Sequence, residues 1–85
     1  MGDIARRWQQ AGRPEQAATI LERALEIDHT SEPLYRTLME SYMQMGRRAE
    51  MAETYGRCRK MLAATLHVDP SPETVALYEN LAHAV

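Results

Sequence analysis

Phenylalanine is missing from the 85-residue chain, cysteine and tryptophan occur once each, and aromatic residues make up only 6% of it. At this length the apolar residues can build one small core and not two domains, which excludes a self-contained large enzyme. A lone cysteine, Cys58, cannot close an intrachain disulfide, and this fits a reducing compartment. No run of eighteen apolar residues occurs, and Met1-Gly2-Asp3-Ile4-Ala5-Arg6-Arg7 enters a helical pattern with no apolar signal core. The expectation is a soluble, cytoplasmic chain with no membrane contact. Neither sign of charge dominates: ten Lys+Arg against twelve Asp+Glu leave a net charge of -2. A phosphate-binding surface would therefore have to be a local patch.

What is present is a repeat. Sliding the chain on itself by 34 residues sets Ile4 on Leu38, Ala5 on Met39, Trp8 on Tyr42, Gly12 on Gly46, Arg13 on Arg47, Ala17 on Met51, Leu21 on Tyr55 and Ala24 on Cys58. Each pair keeps its physical type. The period and the order of large, small, aromatic and glycine positions resemble the tetratricopeptide repeat, a helix-turn-helix unit.

The segments agree with this reading. Ile4, Ala5, Trp8 and Ala11 recur at helical spacing from about Asp3, and Gly12 ends that helix. A second helix is expected from Pro14 to Ile27, with Ala17, Ile20, Leu21, Ala24, Leu25 and Ile27 apolar and Pro14 in the first turn. Ser31 caps a third, which carries Leu34, Tyr35, Leu38, Met39, Tyr42 and Met43 and ends at Gly46. A fourth runs from Arg48 to Leu66 with Met51, Ala52, Tyr55, Cys58, Met61, Leu62 and Leu66. Ser71 and Pro72 open a fifth, carrying Leu77, Tyr78, Leu81 and Val85. The fold predicted is all-α, with residues 3–27 and 32–66 forming two tetratricopeptide-like hairpins and residues 71–85 a capping helix. A regular unit would place its closing proline about seven residues before Pro70, so the fourth helix projects roughly 10 Å past its neighbour. Met61, Leu62 and Leu66 on that projection need cover, and the fifth helix is the nearest candidate.

Beyond the plain repeat, Glu32-Pro33-Leu34-Tyr35-Arg36, Leu38-Met39, Tyr42, Gly46-Arg47, Ala49-Glu50, Tyr55, Leu62, Leu66 and Val68-Asp69-Pro70-Ser71-Pro72-Glu73 followed by Leu77 resemble a specific family. It is the bacterial transcriptional activator domain of antibiotic regulatory proteins of the SARP type and of larger multidomain bacterial regulators. The overlong helix and the Pro-Ser-Pro-Glu restart separate it from an ordinary tetratricopeptide array. The resemblance implies a helical module beside a winged-helix DNA-binding domain, working through protein-protein contact, dimerisation or signal relay. The chain departs from the family at His67, which replaces the glycine after the long helix and can adopt a positive φ only at more cost than glycine. The chain itself has no winged helix. It reads as a C-terminal piece of a larger regulator, with Met1-Gly2 added to the native sequence.

Chemistry finds little to work with. His29, His67 and His83 each fall near a helix end or turn, and no histidine or cysteine stands at ligand spacing. Cys58 reads as a small buried residue at a helix crossing. With no Gly-rich phosphate loop, no Gly-x-Ser-x-Gly and no paired carboxylates, neither an enzyme, a metal nor a cofactor is expected. Asp3 with Arg7, Glu32 with Arg36 and Glu53 with Arg57 read as acid-first pairs on solvated faces. The six methionines are core fillers by default, with Met43 and Met45 as candidates for exposure. If first helices line a groove, its candidate partner-binding residues are Arg6, Gln9, Gln10, Arg36, Thr37, Glu40, Met43 and Gln44. The one basic concentration, Arg47, Arg48, Arg57, Arg59 and Lys60, is the place for any phosphate contact, although no direct nucleic-acid binding is expected. The expected partner is a protein: a second copy in a homodimer, another regulator domain or the transcription machinery. The alternative is a generic tetratricopeptide adaptor gripping a peptide or helix.

Overall fold

The structure, a computed structural model, describes residues 2–83. Five helices follow one another among them: α1 (Gly2–Gln10), α2 (Pro14–Ile27), α3 (Glu32–Gln44), α4 (Arg48–Leu66) and α5 (Pro72–His83). The bounds of α2 and α4 are those read from the sequence. Val85 of the last apolar stripe and the Asp3 side chain of the Asp3–Arg7 pair lie outside what the structure describes.

The two inner turns are copies of one another. Gly12 and Gly46 take φ of 75° and 72°, in the left-handed region where a side chain is strained. The Arg13 and Arg47 N–H groups donate to the Trp8 and Tyr42 carbonyls at 2.8 Å, while those of Gly12 and Gly46 donate to Gln9 and Met43 at 3.0 Å. This double closure satisfies carbonyls that the helix end would orphan, and it aims each hairpin's second helix back along its first. Ser31 holds the N-cap place of α3, but its hydroxyl makes no capping bond. At α5 the Ser71 hydroxyl does accept from the Thr74 N–H, at 3.5 Å.

α3 is the centre, packed against all four other helices. α1, α3 and α5 stand side by side in one layer, with α2 and α4 behind them. The core joins Ala5, Ala17, Leu21, Ala24 and Leu25 of the first hairpin to Leu34, Tyr35, Leu38, Met39, Tyr42, Met51, Cys58 and Leu62 of the second. Burying each of the larger aliphatic side chains contributes about 1.5–3 kcal/mol. Leu77, Tyr78 and Leu81 of α5 pack on it from the outside, half-buried. Tyr78 stacks on Tyr55 of α4, with ring centroids 4.1 Å apart and planes 9° from parallel.

Several expected core positions fall elsewhere. Ile4 and Leu66 are each 52% exposed and Ile27 78%, while Ala11 and Ala52 face solvent. For Leu66 the reason is the exit of the chain. His67 closes α4 with φ 56°, in the left-handed conformation, and α5 restarts beside the beginning of α3, so the chain turns away from the end of α4 and leaves Leu66 exposed while Leu62 is buried. Trp8 is half-buried because only one side of its hairpin carries neighbours among the described residues.

Candidate functional site

Where the residues expected to meet a partner actually lie follows from how the helices are stitched together. Gln9 donates through Nε2 to the Thr37 carbonyl at 2.8 Å and to the Ser41 hydroxyl at 2.7 Å, tying α1 to α3. Thr37 is buried and its hydroxyl donates to the Pro33 carbonyl at 3.0 Å. Arg36 donates from Nη1 to Thr74 Oγ1 at 2.9 Å and sets Nη2 3.7 Å from the Glu73 carboxylate, with its side chain 19% exposed. These three hold helices to each other. Arg6, Gln10 and Gln44 are exposed, and Glu40 and Met43 half-buried; they are what the layer of first helices offers to solvent. Met45 is half-buried too, so neither methionine suspected of exposure is fully exposed.

α5 is latched through its N-terminus. Glu32 Oε1 accepts from the Ser71 N–H at 2.8 Å and from the Thr74 hydroxyl at 2.7 Å. Burial alone would raise the Glu32 carboxyl. The bonds from Thr74 and Ser71, with the nearby Arg36 charge, outweigh it and hold the group below the ordinary carboxylate range. The Glu32 carboxylate and Arg36 therefore face inward, toward α5, where spacing alone puts them on a solvated face. An acidic side chain at an incoming helix N-terminus satisfies donors that the helix cannot satisfy itself.

A second network joins the hairpins from behind. Glu22 of α2 accepts from the Tyr42 hydroxyl at 2.8 Å and pairs with Arg57 of α4 at 2.9 Å. Burial would raise the Glu22 carboxyl, but Arg57 and Tyr42 hold it low; burial and then the Glu22 bond push Tyr42 up to about 12. Arg57 thus reaches α2 and not Glu53, its expected partner one turn back. Beside this network lies a cleft of about 540 Å³ between α2, carrying Glu22, Leu25, Glu26 and nearby His29, and α4, carrying Arg57, Lys60 and Met61, with Tyr35 at its base. The other basic residues are scattered. Arg47 pairs with Glu50 at 3.8 Å, Arg48 donates to the Ala82 carbonyl at 3.1 Å, and Arg59 and Lys60 are exposed on α4, Lys60 bordering that cleft.

No three metal-ligating side chains come together among the described residues. Cys58 is fully buried; burial, and then the Glu32 charge, push its thiol up to about 11, far from a nucleophile's range. No described helix is long and apolar enough to cross a membrane.

Two hairpins, an overlong fourth helix and a fifth fastened at its start agree with the comparison that decides the family. The model of the bacterial transcriptional activator domain matches residues 3–82. The chain belongs to that family. No curated protein and no solved structure matches it significantly. The activator domain is a part of transcription regulators and not a family of enzymes. Its Glu32-Pro33-Leu34-Tyr35-Arg36 and Pro70-Ser71-Pro72-Glu73 stretches meet in space: Glu32 and Arg36 hold Ser71, Glu73 and the adjacent Thr74. Sequence reasoning missed Thr74 and Glu22. The signal for Thr74 was its place three residues past Ser71, where a helix still has an unsatisfied N–H. Glu22 carried none, because its partners are 20 and 35 residues away.

Proposed function

We propose that this activator domain is a protein-interaction and oligomerisation module of a larger bacterial transcription regulator, adjoining a DNA-binding domain and carrying no chemistry of its own. The observation that supports this reading is an unfilled stacking face. Tyr42 and Thr54 of the second hairpin are sealed, at 8% and 1% exposure. Their counterparts 34 residues earlier, Trp8 and Ile20, stay half-buried beside an open cleft of about 370 Å³. Helical repeats bury such faces by stacking, so an open one is available to another protein. The partner is a second copy, another domain of the regulator or the transcription machinery, met through this face and the polar layer of Arg6, Gln10, Glu40, Met43 and Gln44. A generic adaptor has no need of the extended α4 or of the α5 latch. Light scattering from dilute to millimolar protein tests the reading: the wild type is expected to self-associate and Ile20→Glu to stay monomeric with an unchanged melting point. A strict monomer throughout, in a domain whose deletion leaves the regulator's transcription output intact, overturns it.

A further inference from the structure

The repeat relates two clefts, and only the first has a helix on each side of it. The wall that α2 gives to the first cleft, Glu22, Leu25, Glu26 and His29, becomes Gly56, Arg59, Lys60 and Ala63 on moving 34 residues along. Those four, with Asp69, line a second cleft of about 320 Å³ on the outer side of α4. In the first cleft an acidic wall is faced by a basic helix, and Arg57 closes on Glu22 at 2.9 Å. In the second the α4 wall is basic, with Asp69 the single acid among the lining residues: Arg59 and Lys60 are exposed and neither has an ion-pair partner among the described residues. No described helix stands opposite Arg59, while Lys60 borders both clefts and also faces α2 across the first. Gly56 adds an independent observation. A glycine in the middle of a helix weakens it, and a side chain built there would meet nothing within 4 Å. Nothing among the described residues uses the space it leaves on that wall.

From this we infer that the outer face of α4, centred on Gly56, Arg59, Lys60 and Ala63, docks an acidic amphipathic helix of a partner protein, in the place beside α5 that α4 itself takes beside α3. The partner's backbone approaches closely over Gly56, and carboxylates on its edge meet Arg59 and Lys60. The charges give orientation and selectivity, and the alanine and glycine surface gives the contact. This rests on the protein-interaction reading and adds to it a surface and the chemistry of the partner.

The test is an NMR titration of the labelled 85-residue domain with a lactam-bridged Ala/Leu helix bearing glutamates along one edge, and with its lysine counterpart. The acidic peptide is expected to move the amides of Gly56, Arg59, Lys60 and Ala63, and the basic one to leave them in place. Arg59→Glu with Lys60→Glu should weaken the acidic peptide at least about fivefold, as two surface ion pairs allow, and turn the preference toward the basic one. Gly56→Leu should raise the melting point and still weaken docking; an unchanged affinity in that stabilised variant overturns the close approach. Amide shifts confined to the Trp8 and Ile20 face overturn this surface and leave the interaction reading standing, whereas no shift with either peptide and no self-association removes both. A DNA duplex that displaces the acidic peptide from the same residues at physiological salt overturns the inference in favour of phosphate contact, and concentration-dependent shifts of these amides in the peptide-free domain overturn it in favour of a second copy.

Discussion

Tyr42 carries two separable kinds of stabilisation. Its ring is buried between the hairpins, and its hydroxyl donates to Glu22 at 2.8 Å, where Arg57 also ends. Removing the ring leaves a cavity that this small core cannot close, so Tyr42→Ala is expected to cost about 3–5 kcal/mol and to leave little folded protein. Removing only the hydroxyl keeps the packing and leaves Glu22 its arginine. Tyr42→Phe should therefore cost about 1 kcal/mol. Chemical denaturation of the two variants separates the parts; equal losses would mean that the hydroxyl and not the ring holds the hairpins together. Much of the core at this scale was legible, because Ala17 and Met51, or Ala24 and Cys58, repeat at one period on one face of a helix. Glu22, Tyr42 and Arg57 were not legible as a group. Periodicity reports which face a side chain is on and says nothing of which distant polar group it will find there.

At the scale of elements, α4 departs most from its counterpart α2, and its end shows why length and closure go together. A helix extended by more than a turn must turn back sharply to bring α5 to the start of α3, and His67 does so at φ 56°. A side chain in that conformation costs about 1–2 kcal/mol, which glycine avoids. His67→Gly is expected to stabilise the domain by about 0.5–1 kcal/mol once the greater freedom of the unfolded glycine is offset. A lower melting point for His67→Gly would mean that the imidazole makes a stabilising contact outweighing its backbone strain. The helices themselves were predictable from glycine, proline and apolar spacing. The reach of α5 was not. Leu66 sits on the same stripe as Leu62, yet only Leu62 is covered, because cover depends on where the next helix is fastened, and that is set by Glu32 on a different element.

The whole molecule is held unevenly, since α3 packs against all four other helices while α5 relies on half-buried contacts, one tyrosine stack and the Glu32 latch. Partial opening should therefore begin at α5. Acid provides the trigger. The Glu32 and Glu22 carboxyls both lie below the ordinary value of 4.5 in the fold, so what they contribute is present above that value and is lost as pH falls through their lower folded ones. Protonating Glu32 withdraws the charge that accepts from Ser71 and Thr74 and leaves Arg36 and the α5 N-terminus uncompensated, whereas protonating Glu22 loosens the seam between hairpins. Hydrogen exchange should show the α5 amides from Val75 to His83 opening first below about pH 4.5, with α3 protected until global unfolding. Glu32→Gln should open α5 at neutral pH by about 1–2 kcal/mol, the range for bonds to a charged acceptor, and flatten the acid limb of the stability curve. If α5 and α3 exchange in step at every pH, in wild type and variant alike, α5 is part of the cooperative core and not a helix held at its threshold by one carboxylate.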